Sequence, residues 1–355
     1  MQTRRNFFNS VRQRLPATEQ CWLHVSRTAM ATRFEITLPP TAEIAVGAAT
    51  EALDEIDRIE VQLTAYRETS ELSFVNRHAA DRPVVVEEEF FQLIQLCKDL
   101  ARDTGGAFDI TSGPLTKCWG FFKREGRFAA PDEIELARSN VGTEKLLLNQ
   151  QVRTIHFAKK GLEINLGSIG KGYALDRVAA LMRNTVNSAL VNAGASSMLA
   201  VGAADYSRGW LIGLRDPRSK TRRAGMLRLK DAALSTSGSD EQFFESGGKR
   251  YGHIIDPRTG WPATRVASVN VIADSAAISD ALATAFFVGG RELAENYCAH
   301  APRVMAILFE SGSTVPLIIG THPGCTDLQV SGSSSFTRVS TDPRLRQVSL
   351  EIVKT

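Results

Sequence analysis

A glycine-rich stretch at residues 165–176, NLGSIGKGYALD, has the composition of an anion-binding turn. Its three glycines follow an alternating apolar segment at 162–166 and precede a helical pattern, which predicts a strand, a tight turn and a helix. Glycine lets the backbone approach a ligand closely, and the first N–H groups and the dipole of a helix attract phosphate. The stretch is therefore suited to a pyrophosphate ligand. On this stretch alone, a purely structural turn is about equally well supported.

Two common phosphate-binding motifs are absent from this stretch. A P-loop requires Ser or Thr directly after Gly-Lys, whereas Gly172 follows Lys171. The dinucleotide-binding pattern G-x-G-x-x-G is also missing. A ligand at this turn would have to be bound in another way.

Asp280 and Thr284 are four residues apart in the segment SDALATA. On a helix this spacing places a carboxylate and a hydroxyl on one face, one turn apart. Mg²⁺ prefers oxygen ligands and often takes only one or two carboxylates, with water and substrate phosphates completing its octahedron. The alternative is a capping acid near a helix start and a threonine on the helix surface, which the isolated pair favours.

His253 precedes the segment IIDPRTG, in which an apolar pair leads into a turn. Such a histidine can be a general base, a phosphate donor or a structural residue, and the structural role is the commonest. Asp256 and Thr259 have side chains that stabilise turns by bonding to nearby backbone groups. Residues 236–238, TSG, either donate hydrogen bonds to phosphate or form a plain loop.

The elements that would position these residues can be predicted from apolar periodicity. Helices are expected at 44–63, 87–104, 131–140 and 279–288, a loop with a short helical turn at 66–76, and irregular backbone that fits neither helix nor strand at 107–122. Strands are expected at 22–38, 84–86, 146–166, 188–201, 210–214, 226–235 and 266–272, and short strands with turns at 303–354. Because the strands come in runs and do not alternate strictly with helices, the fold class is α+β, with mixed or antiparallel sheets and packed helices.

Composition excludes several classes of protein. The 355 residues are 43% hydrophobic and 23% charged, as expected of a soluble globular protein with a proper core. A net charge of +3 is too small for an electrostatic nucleic-acid binder. No apolar run is long enough for a transmembrane helix, so stable membrane insertion is not expected. Five scattered cysteines without a C-x-x-C pair indicate free thiols.

Residues 1–22 are expected to form a poorly ordered basic tail. Its segment TRRNFF is similar to a twin-arginine export signal, but residues 9–20 are mostly polar and lack the apolar region of a leader. A cytoplasmic location is therefore expected, unless a misassigned start codon hides a leader.

Eight segments together resemble, in order, the motifs of the FAD:protein FMN transferase family, also called ApbE. They are MAT at 30–32, residues 66–76, GGAFDIT at 105–111 with GPL at 113–115 and WGF at 119–121, residues 165–176, NAG at 192–194, TSG at 236–238, HIIDPRTG at 253–260 and DALAT at 280–284. The resemblance runs from about residue 26 to about residue 315. Eight blocks in the same order do not arise from composition.

The resemblance implies an ApbE-like, T-fold-related flavin transferase domain over residues 23–355, with room for two subdomains and an FAD site in the cleft between them. It implies a magnesium-dependent transfer of the FMN portion of FAD to a Thr or Ser hydroxyl of an acceptor flavoprotein, with release of AMP. Asp280 and Thr284 match the magnesium ligands, joined by the carbonyl of Ser168, and His253 is the candidate for deprotonating the hydroxyl. The positions that match FAD contacts are Met30, Tyr66, Ala107, Phe108, Asp109, Asn165, Lys171 and Ile255.

Four positions depart from the family pattern. Ala31 replaces the glycine of a Met-Gly-Thr block, and Gly194-Ala195-Ser196 replaces Gly-Gly-Asp. Asn165 replaces an aspartate, and Ala283 stands where some relatives carry a second carboxylate. Because the changes at Asn165 and Ala283 remove negative charge near the expected metal, weaker magnesium binding than in a standard member is predicted.

Three functions from different classes remain open on sequence alone. The first is the transferase, and the second is a magnesium-dependent FAD pyrophosphatase that uses water and yields FMN and AMP. The third is an FAD-binding protein without catalytic activity. The resemblance favours the transferase because Asp280, Thr284, Lys171 and His253 are all present.

Overall fold

A nine-stranded sheet organises the part of the chain that the structure, a computed structural model, describes. The described residues are 22–40, 42, 45–204, 207–219, 221–239, 242–313 and 315–330, with the backbone of 338–339. Residues 1–21 of the expected basic tail lie outside the described ranges, and they include Cys21 and the segment TRRNFF on which the expected cytoplasmic location depends. The serine-rich segment 331–335 also lies outside them.

Strands and helices alternate irregularly along the chain. In order they are β1 (Leu23–Ala29), β2 (Thr32–Leu38), α1 (Ala45–Leu63), α2 (Glu71–His78), β3 (Val84–Val85), α3 (Glu88–Asp103), α4 (Gly113–Cys118), α5 (Pro131–Ser139), β4 (Leu146–Asn149), β5 (Thr154–Phe157), α6 (Gly170–Arg183), β6 (Ala189–Ala193), β7 (Ser197–Val201), β8 (Trp210–Arg215), β9 (Arg223–Leu229), β10 (Ala232–Gly238), β11 (Phe243–Ser246), β12 (Lys249–Gly252), β13 (Val266–Ala273), α7 (Ala276–His300), β14 (Met305–Glu310), β15 (Leu317–Gly320), β16 (Cys325–Val330) and β17 (Arg338–Val339). Short 3-10 helices lie at Phe121–Lys123 and Thr143–Lys145.

The strand order of the large sheet is β1-β2-β6-β7-β10-β13-β14-β15-β17. Its neighbours pair antiparallel except β15 and β17, which are parallel. Smaller sheets are formed by β16-β9-β8, β3-β5-β4 and β11-β12. The predicted α+β class with mixed and antiparallel sheets is confirmed.

Both faces of the large sheet are covered. Successive residues of a strand point to opposite faces, so Val271 of β13 lies in the main core with the helices, whereas Ile272 lies in a second core under the β16-β9-β8 sheet. Burial on both faces explains why β13 is almost uniformly apolar. The helices α1, α3, α6 and α7 contribute their buried residues to the main core.

The helices predicted at 44–63, 87–104 and 131–140 are confirmed to within two residues. Four other predictions are wrong in part. The short helical turn expected in the loop at 66–76 is the start of α2, which continues to His78, and the segment 107–122, expected to be irregular, contains α4. Residues 162–166 form extended chain with one bridge, Ser112 to Glu163, in place of a strand. The helix expected at 279–288 begins earlier, because Ser275 caps it by accepting from the N–H of Ile278.

Four of the five cysteines can be described, and Cys97, Cys118, Cys298 and Cys325 are free thiols. Burial raises the pKa of the Cys97 thiol, which lies in the main core. No helix in the ranges given above has both the length and the apolar composition needed to cross a bilayer.

A two-residue turn joins β1 and β2. Ala29 pairs with Thr32, so Met30 and Ala31 form the turn, with φ of 49° and 57°. Turns of this length need positive φ at both positions and usually carry Asn or Gly. A side chain at this φ costs about 1 kcal/mol, so the departure to Ala31 places strain in this hairpin.

We expect Ala31→Gly to raise the free energy of unfolding by about 1 kcal/mol, because glycine adopts positive φ without the steric penalty. Urea denaturation at constant pH would measure the change. Ala29→Gly is the matched control, since Ala29 is in a regular strand and buried, and its replacement should destabilise the protein. A loss of stability in Ala31→Gly would contradict the proposed strain.

His322 links the chain before α7 to the loop after β15. Its side chain is fully buried, Nδ1 accepts from the N–H of Gly324 at 3.0 Å, and Nε2 donates to Asp274 at 3.1 Å. Burial lowers the pKa of His322, and this effect outweighs the opposing effect of Asp274. Asp274 also accepts two hydrogen bonds from Arg303, which hold the pKa of its carboxyl below the ordinary value.

The stability of the protein should fall as the pH drops below about 6.5, because the unfolded chain then binds a proton that folded His322 resists. We expect His322→Gln to be less stable at pH 7.5 but to lose less stability between pH 7.5 and 5.5. Urea unfolding at both pH values would test this. His300→Gln, at an exposed position, should keep the wild-type dependence of stability on pH. An unchanged pH dependence in His322→Gln would refute this role of His322.

Candidate functional site

The candidate site lies where α6 crosses α7. The backbone N–H of Gly172 donates to Oδ2 of Asp280 at 3.1 Å. A Cβ on Gly172 would lie 2.1 Å from the carbonyl oxygen of Ala276, so another residue here would push the helices apart. Gly172 is therefore required for close packing.

Two residues of α6 contact α7 at this crossing. Gly172 packs against the backbone of Ala276 and donates its N–H to the Asp280 side chain, and Asp176, one turn further along α6, bonds to the backbone at the start of α7. Asp176 accepts from the N–H of Ala276 at 2.7 Å, the N–H of Ala277 at 2.9 Å and the hydroxyl of Ser275 at 2.6 Å. No function is predicted for Asp176 from the sequence, although its spacing of four from Gly172 indicates a shared helix face.

Asp280 and Thr284 share a face of α7, as predicted. The Asp280 carboxylate is only 5% exposed and accepts from Gly172 and from the hydroxyl of Ser197 at 3.3 Å. The Thr284 hydroxyl lies 3.4 Å from that of Ser237 and donates to the carbonyl of Asp280 at 3.4 Å. The capping alternative is wrong for Asp280, because Ser275 is the N-cap and Asp280 lies inside the helix.

Hydroxyl groups fill the layer between the sheet and α7. Ser235 and Ser237 are two residues apart on β10 and therefore point to the same face of the sheet. The hydroxyl of Ser235 lies 2.6 Å from that of Ser279, and the hydroxyl of Ser237 contacts that of Thr284. Thr236 points to the other face and donates to Oδ1 of Asn270 at 2.9 Å. Residues 236–238 are thus part of a strand, and the expectation of a plain loop is wrong.

The glycine turn is fixed by side chains before α6 begins. Asn165 donates its N–H to Ile110 at 2.7 Å, and its Oδ1 accepts from the N–H of Gly167 at 2.8 Å. Ser168 is within the turn, and Lys171 is in the first turn of the helix. The Lys171 ammonium donates to the hydroxyl of Ser196 at 2.5 Å.

Three predicted FAD contacts lie in the protein interior. Ala107 and Phe108 are buried in the main core. Asp109 accepts from the N–H and hydroxyl of Thr111, at 2.7 and 2.5 Å, and from the N–H of Thr143 at 3.1 Å. Burial raises the pKa of Asp109 against these hydrogen bonds. The Asp109 side chain therefore holds two loops together.

The remaining predicted FAD contacts differ in exposure. Tyr66 is 70% exposed, and its ring stacks on Phe122 with centroids 4.7 Å apart. Met30 is in the strained hairpin turn, packed against the main core. Ile255 is buried and bridges to Pro262.

His253 directly follows β12. Its N–H and its Nδ1 both approach the carbonyl oxygen of Gln242, at 3.0 and 3.2 Å. A carbonyl oxygen only accepts, so Nδ1 carries the proton in this arrangement, and a neutral ring has its lone pair on Nε2. The turn that follows is stabilised as predicted, since Asp256 accepts from the N–H of Arg258 and Thr259 from the N–H of Trp261.

The donors at the crossing suit a hard cation. The described ranges contain no group of three or more His, Cys, Asp or Glu side chains able to hold a metal. Asp280 and Thr284 offer one carboxylate and one hydroxyl, and Mg²⁺ commonly takes few protein ligands and completes its shell with water and phosphate. The residues present therefore fit magnesium better than a metal that needs several carboxylates or imidazoles.

Comparisons with known proteins find relatives over most of the chain. The model of the ApbE family matches residues 30–309. An FAD:protein FMN transferase of Treponema pallidum is 34% identical over 269 residues, which are 71% of this chain and 74% of the relative. One of Vibrio cholerae is 32% identical over 327 residues, covering 88% of this chain and 91% of the relative.

Solved structures show the same fold. The ApbE protein of Thermotoga maritima superimposes with a TM-score of 0.76 and 31% identity, covering 84% of this chain and 97% of the other. The flavin transferase ApbE of Vibrio cholerae gives a TM-score of 0.71 with 26% identity, covering 88% and 98%. The matched residues include the glycine turn and both helices of the crossing, and the chain belongs to the ApbE family.

Proposed function

We propose that the protein is an FAD:protein FMN transferase, which moves the FMN portion of FAD to a Thr or Ser hydroxyl of an acceptor flavoprotein and releases AMP. The observation that carries this proposal is the α6–α7 crossing, which joins a helix N-terminus suited to phosphate with a buried carboxylate suited to a cation. Relatives that share the fold are transferases of this name.

Magnesium would be held by Asp280, Thr284 and the carbonyl of Ser168. The crossing supports this set, because the Asp280 carboxylate bonds to the backbone N–H of Gly172, four residues after Ser168 in the chain. Bound there, magnesium would neutralise charge on the pyrophosphate and stabilise the transition state.

Lys171 and the N-terminus of α6 would bind the pyrophosphate of FAD. Among the residues described, Lys171 forms no ion pair, and its hydrogen-bond partner is the neutral Ser196. Asn165 shapes the turn through Gly167. The exposed ring of Tyr66 is suited to stacking on the flavin or adenine, while Met30, Ala107, Phe108, Asp109 and Ile255 would form the surrounding wall.

In the proposed reaction the acceptor hydroxyl attacks the phosphorus on the FMN side of the pyrophosphate. A new O–P bond forms, the bond to the AMP phosphate breaks, and AMP leaves. His253 would take the hydroxyl proton on Nε2, because Nδ1 already carries one. Catalysis then consists mainly of alignment and of charge stabilisation.

If water attacked in place of the hydroxyl, the protein would be an FAD pyrophosphatase. If neither water nor a hydroxyl attacked, it would be an FAD-binding protein without catalytic activity. Purified protein incubated with FAD and Mg²⁺ separates these cases when a Thr-containing peptide is present, absent or replaced by its Thr→Ala version. Covalent flavin fluorescence on the Thr peptide alone supports the transferase. AMP release independent of peptide supports the pyrophosphatase, and intact bound FAD supports a binding protein.

Asp280→Ala should abolish AMP release while FAD still binds without magnesium, because the variant loses a metal ligand and keeps the glycine turn. Turnover by chromatography of AMP and FAD affinity by fluorescence anisotropy would be measured together. Ser279→Ala is the neighbouring control, since the Ser279 hydroxyl faces Ser235 and is assigned no ligand. Full magnesium-dependent activity in Asp280→Ala would refute the metal assignment.

Asn165→Asp should lower the half-saturating magnesium concentration about fivefold, since the substitution adds a negative charge to the turn that would supply the Ser168 ligand, and charges ~4 Å apart in water interact by about 1 kcal/mol. Aspartate can still accept from Gly167, so the turn should persist. A carboxylate at position 283 would not be a clean test, because Ala283 is fully buried in the main core, where a charged group would destabilise the fold. An unchanged magnesium constant would show that the departure at Asn165 does not weaken metal binding.

A further inference from the structure

The N-terminus of α7 is capped twice. The first N–H groups of a helix have no partners inside it. The hydroxyl of Ser275 accepts from the N–H of Ile278 at 3.2 Å, as an ordinary N-cap does. The N–H groups of Ala276 and Ala277 instead donate to Asp176, which belongs to another helix.

The second cap does more than start the helix. Ser275 alone provides the local signal for a helix start, but it does not fix where α7 lies relative to α6. Asp176 binds that helix start through both carboxylate oxygens, and the Ser275 hydroxyl donates to it as well. These hydrogen bonds therefore hold Asp176 of α6 against the backbone of α7 at Ala276.

The same helix faces carry the functional groups. Gly172 and Asp176 are one turn apart on α6, as are Ala276 and Asp280 on α7. Two sets of hydrogen bonds, between Asp176 and the start of α7 and between Gly172 and the Asp280 side chain, join these faces. Gly172 allows the two backbones to come near, and the bonds to Asp176 connect the helices at that distance.

We propose that Asp176 is a positioning residue, whose clamp on the start of α7 sets the distance between the glycine turn and the cation-binding face of Asp280 and Thr284. This inference rests on the proposed function, because it assigns Asp176 the alignment of the pyrophosphate-binding turn with the magnesium ligands. In this proposal Asp176 is assigned no contact with FAD or metal, and its described partners are Ser275, Ala276 and Ala277. Its loss should weaken magnesium binding and turnover more than FAD binding.

The test compares Asp176→Ala, Asp176→Glu and Ser275→Ala with the wild type. Thermal midpoint, FAD affinity in EDTA, the magnesium-induced rise of the midpoint with FAD present, and the magnesium dependence of AMP release are measured for each. Ser275→Ala is the matched control, because it removes a cap from the same helix end and leaves the Asp176 bonds to Ala276 and Ala277. Glutamate preserves the charge and both acceptor oxygens but has a longer reach.

We expect Asp176→Ala to raise the half-saturating magnesium concentration at least tenfold and to keep FAD affinity within threefold. Ser275→Ala should lose a comparable amount of thermal stability and keep its magnesium constant within twofold. Asp176→Glu should recover most of the thermal stability without recovering the magnesium constant.

Two results would overturn the proposal: equal magnesium constants in Asp176→Ala and the wild type, or full recovery of both properties by glutamate. The second result would make Asp176 a cap alone. A wild type that releases no AMP with or without acceptor would instead refute the proposed function. The magnesium-induced thermal shift would still test the clamp in that case, since it does not depend on turnover.

Discussion

The close approach of α6 and α7 at Gly172 is the constraint on which the site depends. With the Ala276 carbonyl oxygen 2.1 Å from where a Cβ would be, only glycine allows the two backbones to come this near. The approach lets a backbone N–H of the glycine turn reach the Asp280 carboxylate directly. A helix N-terminus that attracts anions and a carboxylate that attracts cations are thereby held against each other. A pyrophosphate with its magnesium ion is a ligand that satisfies both.

The sheet under this crossing supplies both rigidity and hydroxyl groups. Because both faces of β10 are covered, the strand is fixed by packing on either side, and alternation places Ser235 and Ser237 toward α7. Their hydroxyls bond to those of Ser279 and Thr284, which also have backbone carbonyl partners within α7. The face of α7 that carries Asp280 therefore cannot rotate without breaking several buried hydrogen bonds.

Much of this arrangement could be predicted from sequence, and the remainder has identifiable physical reasons. Periodicity gave α1, α3 and α5, and the spacing of four gave the shared face of Asp280 and Thr284. The start of α7 was misplaced because Ser279-Asp280 has the composition of a cap, whereas the cap is Ser275. The role of Asp176 was missed because its partners are a hundred residues away in the chain, and local patterns carry no information on such contacts. Ala107, Phe108 and Asp109 were predicted as ligand contacts, but burial of their side chains leaves mainly backbone for that purpose.

Ser196, which stands where the family pattern has aspartate, contacts the side chain of Lys171. The hydroxyl of Ser196 accepts from Lys171, and its neighbour Ser197 donates to Asp280, so two adjacent residues contact the two charged groups. An aspartate at 196, as in the family pattern, would pair with the Lys171 ammonium and offset its charge. Serine keeps the ammonium oriented but leaves its positive charge uncompensated among the described residues. At the N-terminus of α6 that charge adds to the helix dipole. Under the proposed function, Lys171 would therefore attract the pyrophosphate next to a turn in which Asn165 replaces a carboxylate.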